Sequence, residues 1–167
     1  MNHFLPFVNQ KRLFASLLVG EAGKAREQKH LQRSLLEAAV LQLGLAMKFY
    51  CAEIASTYQC KNAVYASDGK TLAEILASVD KHPAEMQEIV ALESERNSWL
   101  WSLQSCCRSL NSAPQPVVVK KNPANDLIAS VSVQEQGWSQ LDPEQINTWI
   151  QHFSEMIERH RSAMMEY

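Results

Sequence analysis

A chain of 167 residues with 16 basic and 18 acidic side chains is near neutral, so net charge selects neither nucleic acid nor an anionic membrane surface as its partner. With 46% apolar residues it is about one domain's worth, large enough to bury roughly two thirds of its unfolded surface without disulfides or metal. The charge is unevenly spread: residues 1–50 hold seven Lys/Arg and three Glu, whereas 71–105 hold two Lys/Arg and six Asp/Glu.

The first helix is expected to begin near Asn9, which can cap the free amides, with Val8 and Leu13 placed for a hydrophobic staple. Leu13, Phe14, Leu17, Leu18, Ala22 and Ala25 then form a narrow apolar face, predicted to be the core face. Gly20 and Gly23 cost helix propensity there. The segment runs on through Arg26 to Lys29 without a Pro or an obvious cap, which fits one bent helix or two antiparallel ones.

Residues 30–60 are the stretch around which the chain is expected to be organised. Leu31, Leu35, Leu36, Ala39, Leu43, Ala46, Met47, Tyr50, Ile54 and Tyr58 follow at steps of one, three or four, and Val40, Leu41, Leu45, Phe49 and Ala52 widen the stripe. Only a strip through Arg33, Glu37, Gln42, Lys48 and Glu53 is left to face water, so this helix needs several neighbours. Between Glu37 and Lys48 the charge-free run falls short of the roughly 20 residues of a membrane span, and the reading is a core helix with no membrane role.

Asn62 suits a left-handed position after that helix, Ser67 to Gly69 a turn, and Thr71 with Glu74 a capping box. Leu72, Ile75, Leu76 and Val79 mark a short amphipathic helix. Pro83 fits as first residue of a fourth helix, whose seam runs through Ile89, Leu92, Arg96, Trp99/Leu100, Leu103, Cys106/Cys107 and Leu110. Arg96 is the polar member of that seam: it either snorkels past Trp99 or meets a carboxylate such as Glu93, in a helix-surface pair or as a buried polar residue against a facing helix. From Asn111 to Leu141 helical patterning stops: Pro114, Pro116 and Pro123 break it, and Val117–Val119 with Leu127, Ala129, Val131 and Val133 look extended or hairpin-like. A last helix opens at LDPEQI, with Asp142 as cap and Pro143 in the first turn, and carries Ile146, Trp149/Ile150, Phe153, Ile157, His160 and Met164 on its seam. His160 is the second expected buried polar residue.

The fold class that follows is all-α, a four-helix bundle plus one short helix in one domain spanning 1–167, with a long extended or hairpin-like connection before the last helix. The short first helix, the long central one, the LDPEQI cap and the terminal ERHRSAMMEY resemble a small bacterial family of helical proteins without an established activity. The resemblance covers most of the chain and implies a similar fold, but brings no functional residue with it.

Chemistry is thinly signalled. A di-iron bundle needs Glu-x-x-His on two helices, and only Glu27 with His30 has that spacing; His152 and Glu155 have the reverse order. No metal or other cofactor is expected. Four cysteines, Cys51, Cys60, Cys106 and Cys107, lack the CxxC spacing of zinc or redox sites. No glycine elbow or Gly-rich phosphate loop occurs. MNHFLPFVNQK lacks the pattern of a secretion signal, and a reducing cytoplasm is the expected location.

The leading functional expectation is therefore a non-enzymatic interaction or scaffold protein, binding a protein partner or a second copy through Trp101, Trp138, Met164 and Met165, since aromatic residues favour interfaces. The alternatives are a nucleic-acid or nucleotide binder using Lys24, Arg26, Lys29, His30 and Arg33, and an enzyme with an unrecognised site. Glu21 and Glu27 interrupt the basic cluster and no aromatic residue is interleaved for base stacking, which disfavours nucleic acid against a plain solvated face.

Overall fold

The computed structural model describes residues 2–112 and 141–165, with the backbone alone for Met165. Among these residues the structure is helical, with α1 Leu5–Lys24, α2 Lys29–Thr57, α3 Gly69–Ala77, α4 Ala84–Ser94, α5 Trp99–Asn111 and α6 Pro143–Met165, plus a single 3-10 turn at Ala63–Tyr65. The connection expected to be extended, and Trp138 within it, lie outside the described residues.

Helix α2 is the hub. It packs against α1, α3, α5 and α6, while α4 bridges α3 and α5. Its inner residues Ala39, Val40, Leu43, Ala46, Tyr50, Cys51 and Ile54 are fully buried, and the buried side chains of all six helices form one cluster. By length and composition α2 is also apolar enough to cross a membrane, yet half of its most apolar window is covered by its neighbours. Leu31, Leu41 and Leu45 stay exposed, so the stripe is narrower than the sequence suggested.

Helix α1 begins four residues before the expected cap. Pro6 lies in its first turn, where a missing N–H costs nothing, and Asn2 Oδ1 accepts the Phe4 amide at 3.1 Å. Asn9 is thus inside the helix. The hairpin with α2 resolves the open boundary into two antiparallel helices: the Ala25–Gln28 turn is closed by the Gln28 amide on the Ala25 carbonyl, and Gln32 Nε2 reaches back to the Ala22 carbonyl at 3.2 Å.

The expected fourth helix is two helices. Asn97 takes a left-handed φ of 79°, and Ser98 caps α5 by accepting the Trp101 amide at 3.0 Å while its hydroxyl donates to the Leu92 carbonyl of α4. Arg96 therefore falls in the break and is exposed, which removes the buried alternative for it. Two further local expectations are corrected. The left-handed residue after α2 is Gln59 (φ 60°), not Asn62, and the capping box of α3 is formed by Asp68 and Thr71, because Gly69 is already helical.

Candidate functional site

The last two turns of α6 carry Glu158, Arg159, His160 and Arg161, and each side chain goes to another helix. Successive helical residues point about 100° apart, so four in a row sweep the whole circumference. Arg12 of α1 meets Glu158 at 3.7 Å. Arg159 donates to Glu88 of α4. Arg161 grips Glu53 of α2 in a two-pronged pair, 2.7 Å at each prong, and its remaining nitrogen donates to Asn9 Oδ1 at 3.0 Å.

His160 is 4% exposed and sits between Tyr50 and Glu88. Its Nδ1 lies 2.9 Å from the Tyr50 hydroxyl, its Nε2 lies 2.9 Å from Glu88 Oε2, and the two rings stack at 6.0 Å. A neutral ring protonated at Nε2 satisfies all three groups, since the phenol donates to Nδ1 and Nε2–H donates to the carboxylate. Burial pushes the Tyr50 hydroxyl far above its ordinary range, and the nearby Glu53 adds to that, so the phenol remains a donor and is no nucleophile. The chain Tyr50, His160, Glu88 resembles a catalytic relay in its atoms but has no open face at its centre. Its role is to tie α6 to α2 and α4.

A second polar knot holds α3. Glu93 accepts the Gly69 amide through both oxygens, at 2.9 and 3.0 Å, at the positive end of that helix, and also accepts from Gln104. Burial nevertheless raises its carboxyl above the ordinary range, with the two hydrogen bonds opposing.

The outward face of α1 carries exposed apolar side chains. The core face of α1 is Val8, Ala15, Val19 and Ala22, small residues that let α2 approach closely. Leu13, Phe14 and Leu17, expected in the core, point outward and are 55%, 38% and 58% exposed. Gly20 lies on the same outward side, with open space where a Cβ would stand. Lys11 Nζ sits 5.4 Å from the Phe14 ring centroid, and Phe7 leans on Phe49 of α2 at 6.0 Å.

The sequence model of a family of unknown function, DUF6586, matches residues 5–167. The chain belongs to that family. No curated protein and no solved structure matches it. Family membership brings no activity, so the residues of this DUF6586 member have to speak through their placement.

Lys24, Arg26, Lys29 and His30 are exposed around the α1–α2 turn, with Arg33 one turn further on and half-buried. Two of the five already hold carboxylates: Lys24 on Glu21 at 2.7 Å and Arg33 on Glu37 at 3.0 Å. Arg26 borders a hollow shared with Asp142 and Glu144 at the start of α6. The cluster is thus a mixed-charge rim. Among the expected interface residues, Trp101 is half-buried in a hollow of about 260 Å³ with Cys106 and Trp149, and Met164 is half-buried near the end of α6; the Met165 side chain and Trp138 lie outside the described residues. All four cysteines are free, and burial raises the thiols of Cys106 and Cys107 to about 11 and about 12. No group of three His, Cys, Asp or Glu able to hold a metal occurs among the described residues.

Sequence reasoning assigned Glu53 to the wet strip of α2, yet it is 2% exposed. Its partner Arg161 is 108 residues away, and no local pattern announces that pair. The signal available was the ERHR run itself, since four consecutive ionisable residues at the end of an apolar seam need partners on more than one side.

Proposed function

We propose that this protein is a non-enzymatic interaction module that pairs with a second copy of itself along the outward face of α1. The observation that carries the reading is the exposure of Leu13 and Leu17, 55% and 58%, on a helix whose other face is fully used inside. Exposed apolar side chains grouped along one helix, unlike scattered single ones, mark interaction surfaces. The charges favour a second copy as occupant. With Ser16 on a two-fold axis and the helices antiparallel, Lys11 lies at the level of Glu21 of the second copy, each five residues from the axis, so that Glu21 would share its carboxylate between that Lys11 and its own Lys24. The same register sets Leu13 and Phe14 against Leu17 of the second copy, and Gly20 leaves room for the crossing. A two-fold pair repeats every such contact. Within each copy, α1, α2, α5 and α6 make up the four-helix arrangement that supports this face, and the four free thiols support a reducing compartment.

Light scattering over a dilution series tests the proposal. The native protein is expected to have twice the chain mass at high concentration and to fall toward 18.9 kDa on dilution, while Leu13→Glu/Leu17→Glu stays at the lower mass throughout with an unchanged helical circular dichroism spectrum. A native protein that is monomeric at every concentration, or a variant that dimerises as before, overturns it.

A further inference from the structure

A groove of about 570 Å³ runs between α2 and α5, within the size range of small-molecule sites. It is independent of the α1 face. Leu41 and Leu45, each 37% exposed, line it together with Met47 and Leu103. Gly44 belongs to the same lining, and a Cβ there would stand 2.8 Å from Cys107 Sγ, so glycine is what allows α2 and α5 to approach at this point.

The charged groups along this groove are unequal. Lys48 and Arg108 border it and form no ion pair with any described residue. Asp68, an acid in the same lining, is turned toward α3 as its cap, its Oδ1 accepting both the Thr71 amide and the Thr71 hydroxyl at 2.8 Å, and it pairs with neither cation. The trough therefore offers apolar walls along its length and, at its border, two cations against the one carboxylate of Asp68, with Glu93 near enough to Arg108 to feel its charge. Cys107 adds no anion, because burial holds its thiol up at about 12.

We infer that the groove binds a free, single-chain anionic amphiphile of the fatty-acid class. The aliphatic tail lies along Leu41, Leu45 and Leu103, and the carboxylate meets Lys48 and Arg108. Apolar surface supplies affinity in proportion to the methylenes removed from water, and the paired cations select an acid over an alcohol.

The test is titration of the full chain with dodecanoate below its micelle concentration, followed by calorimetry and by the backbone amide signal of Gly44. One saturable site is expected, with the Gly44 signal moving in step with occupancy. Decanoate should bind more weakly, by about three- to fourfold for each methylene lost from the buried tail. Dodecanol should bind about tenfold more weakly than dodecanoate, and Lys48→Gln/Arg108→Gln should remove that preference while leaving dodecanol affinity unchanged. Overturning results are an absence of saturable binding, equal affinity for acid and alcohol, or amide shifts confined to the outward face of α1. Retention on phosphatidylglycerol vesicles without dodecanoate binding would assign the cations to a membrane surface and also overturn the inference.

Discussion

The seam of α6 and the outer face of α1 treat polarity in opposite ways. Where α6 meets α2 and α4, charged and hydrogen-bonding groups are inside: Glu53 and His160 are 2% and 4% exposed. Along the outer side of α1, leucines and phenylalanines are outside. Buried ion pairs contribute little net stability compared with apolar packing, but they penalise every arrangement in which a partner is missing. The ERHR turn is therefore a registration device that fixes α6 against three helices at once, whereas the outward face of α1 is exposed among the described residues and is the proposed pairing face.

The sharpest way to break the comparison is at its polar end. Arg161→Ala leaves the Glu53 carboxylate buried without its cation, and the expected loss is roughly 3–5 kcal/mol in denaturant unfolding; a loss below about 1 kcal/mol would mean that the seam is not locked by this pair. Tyr50→Phe removes one hydroxyl and leaves His160 Nδ1 without its donor, for about 1–2 kcal/mol. If instead the phenylalanine variant is as stable as the native protein, water serves the ring and the relay is not closed.

Ser98→Ala is expected to cost about 1 kcal/mol, because the α5 cap is lost at the break that separates α4 from α5. Glu93 adds a dependence on pH. Its carboxyl is raised in the fold, so the folded protein holds that proton more tightly than the unfolded chain. Stability therefore falls as pH rises from the ordinary glutamate value to the raised one, and this contribution is level above it. Glu93→Gln should flatten that part of the curve, and parallel curves for variant and native protein would contradict the assignment. The smallest expected effect on stability lies at the apolar end. Leu17→Glu should change unfolding free energy by no more than about 0.5 kcal/mol, since the side chain is exposed in each copy; this is measured at a concentration where both proteins are monomeric.

These contrasts also explain what the sequence could reveal. The Asp142 and Pro143 start of α6 and the central helix were legible because they depend on neighbours in sequence: an N-cap, a proline in the first turn, an apolar repeat. The break at Asn97 and Ser98 was masked by apolar spacing that continues through it, although Asn in a left-handed position followed by a capping Ser is a local signal of an end and a new start. The inner face of α1 was misread for a different reason. Its apolar residues surround the helix, so periodicity has no preferred direction, and the small Ala15, Val19 and Ala22 are selected for burial only by the closeness of α2. The outward Leu13 and Leu17 are the remainder of that choice. Glu53 was out of reach of any local rule, because its cation arrives from the other end of the chain.

The most direct test of the unequal sides is a distance between copies. With a spin label at Lys24→Cys, which is exposed at the end of α1, and with the native thiols shielded from labelling, the antiparallel pair places the two labelled backbone positions on the order of 24 Å apart along the helix axes. A dipolar distance near that value, lost in Leu13→Glu/Leu17→Glu, is the predicted result. A distance on the order of 10 Å, as parallel helices in contact would give, or one that persists in the double variant, would contradict pairing through this face.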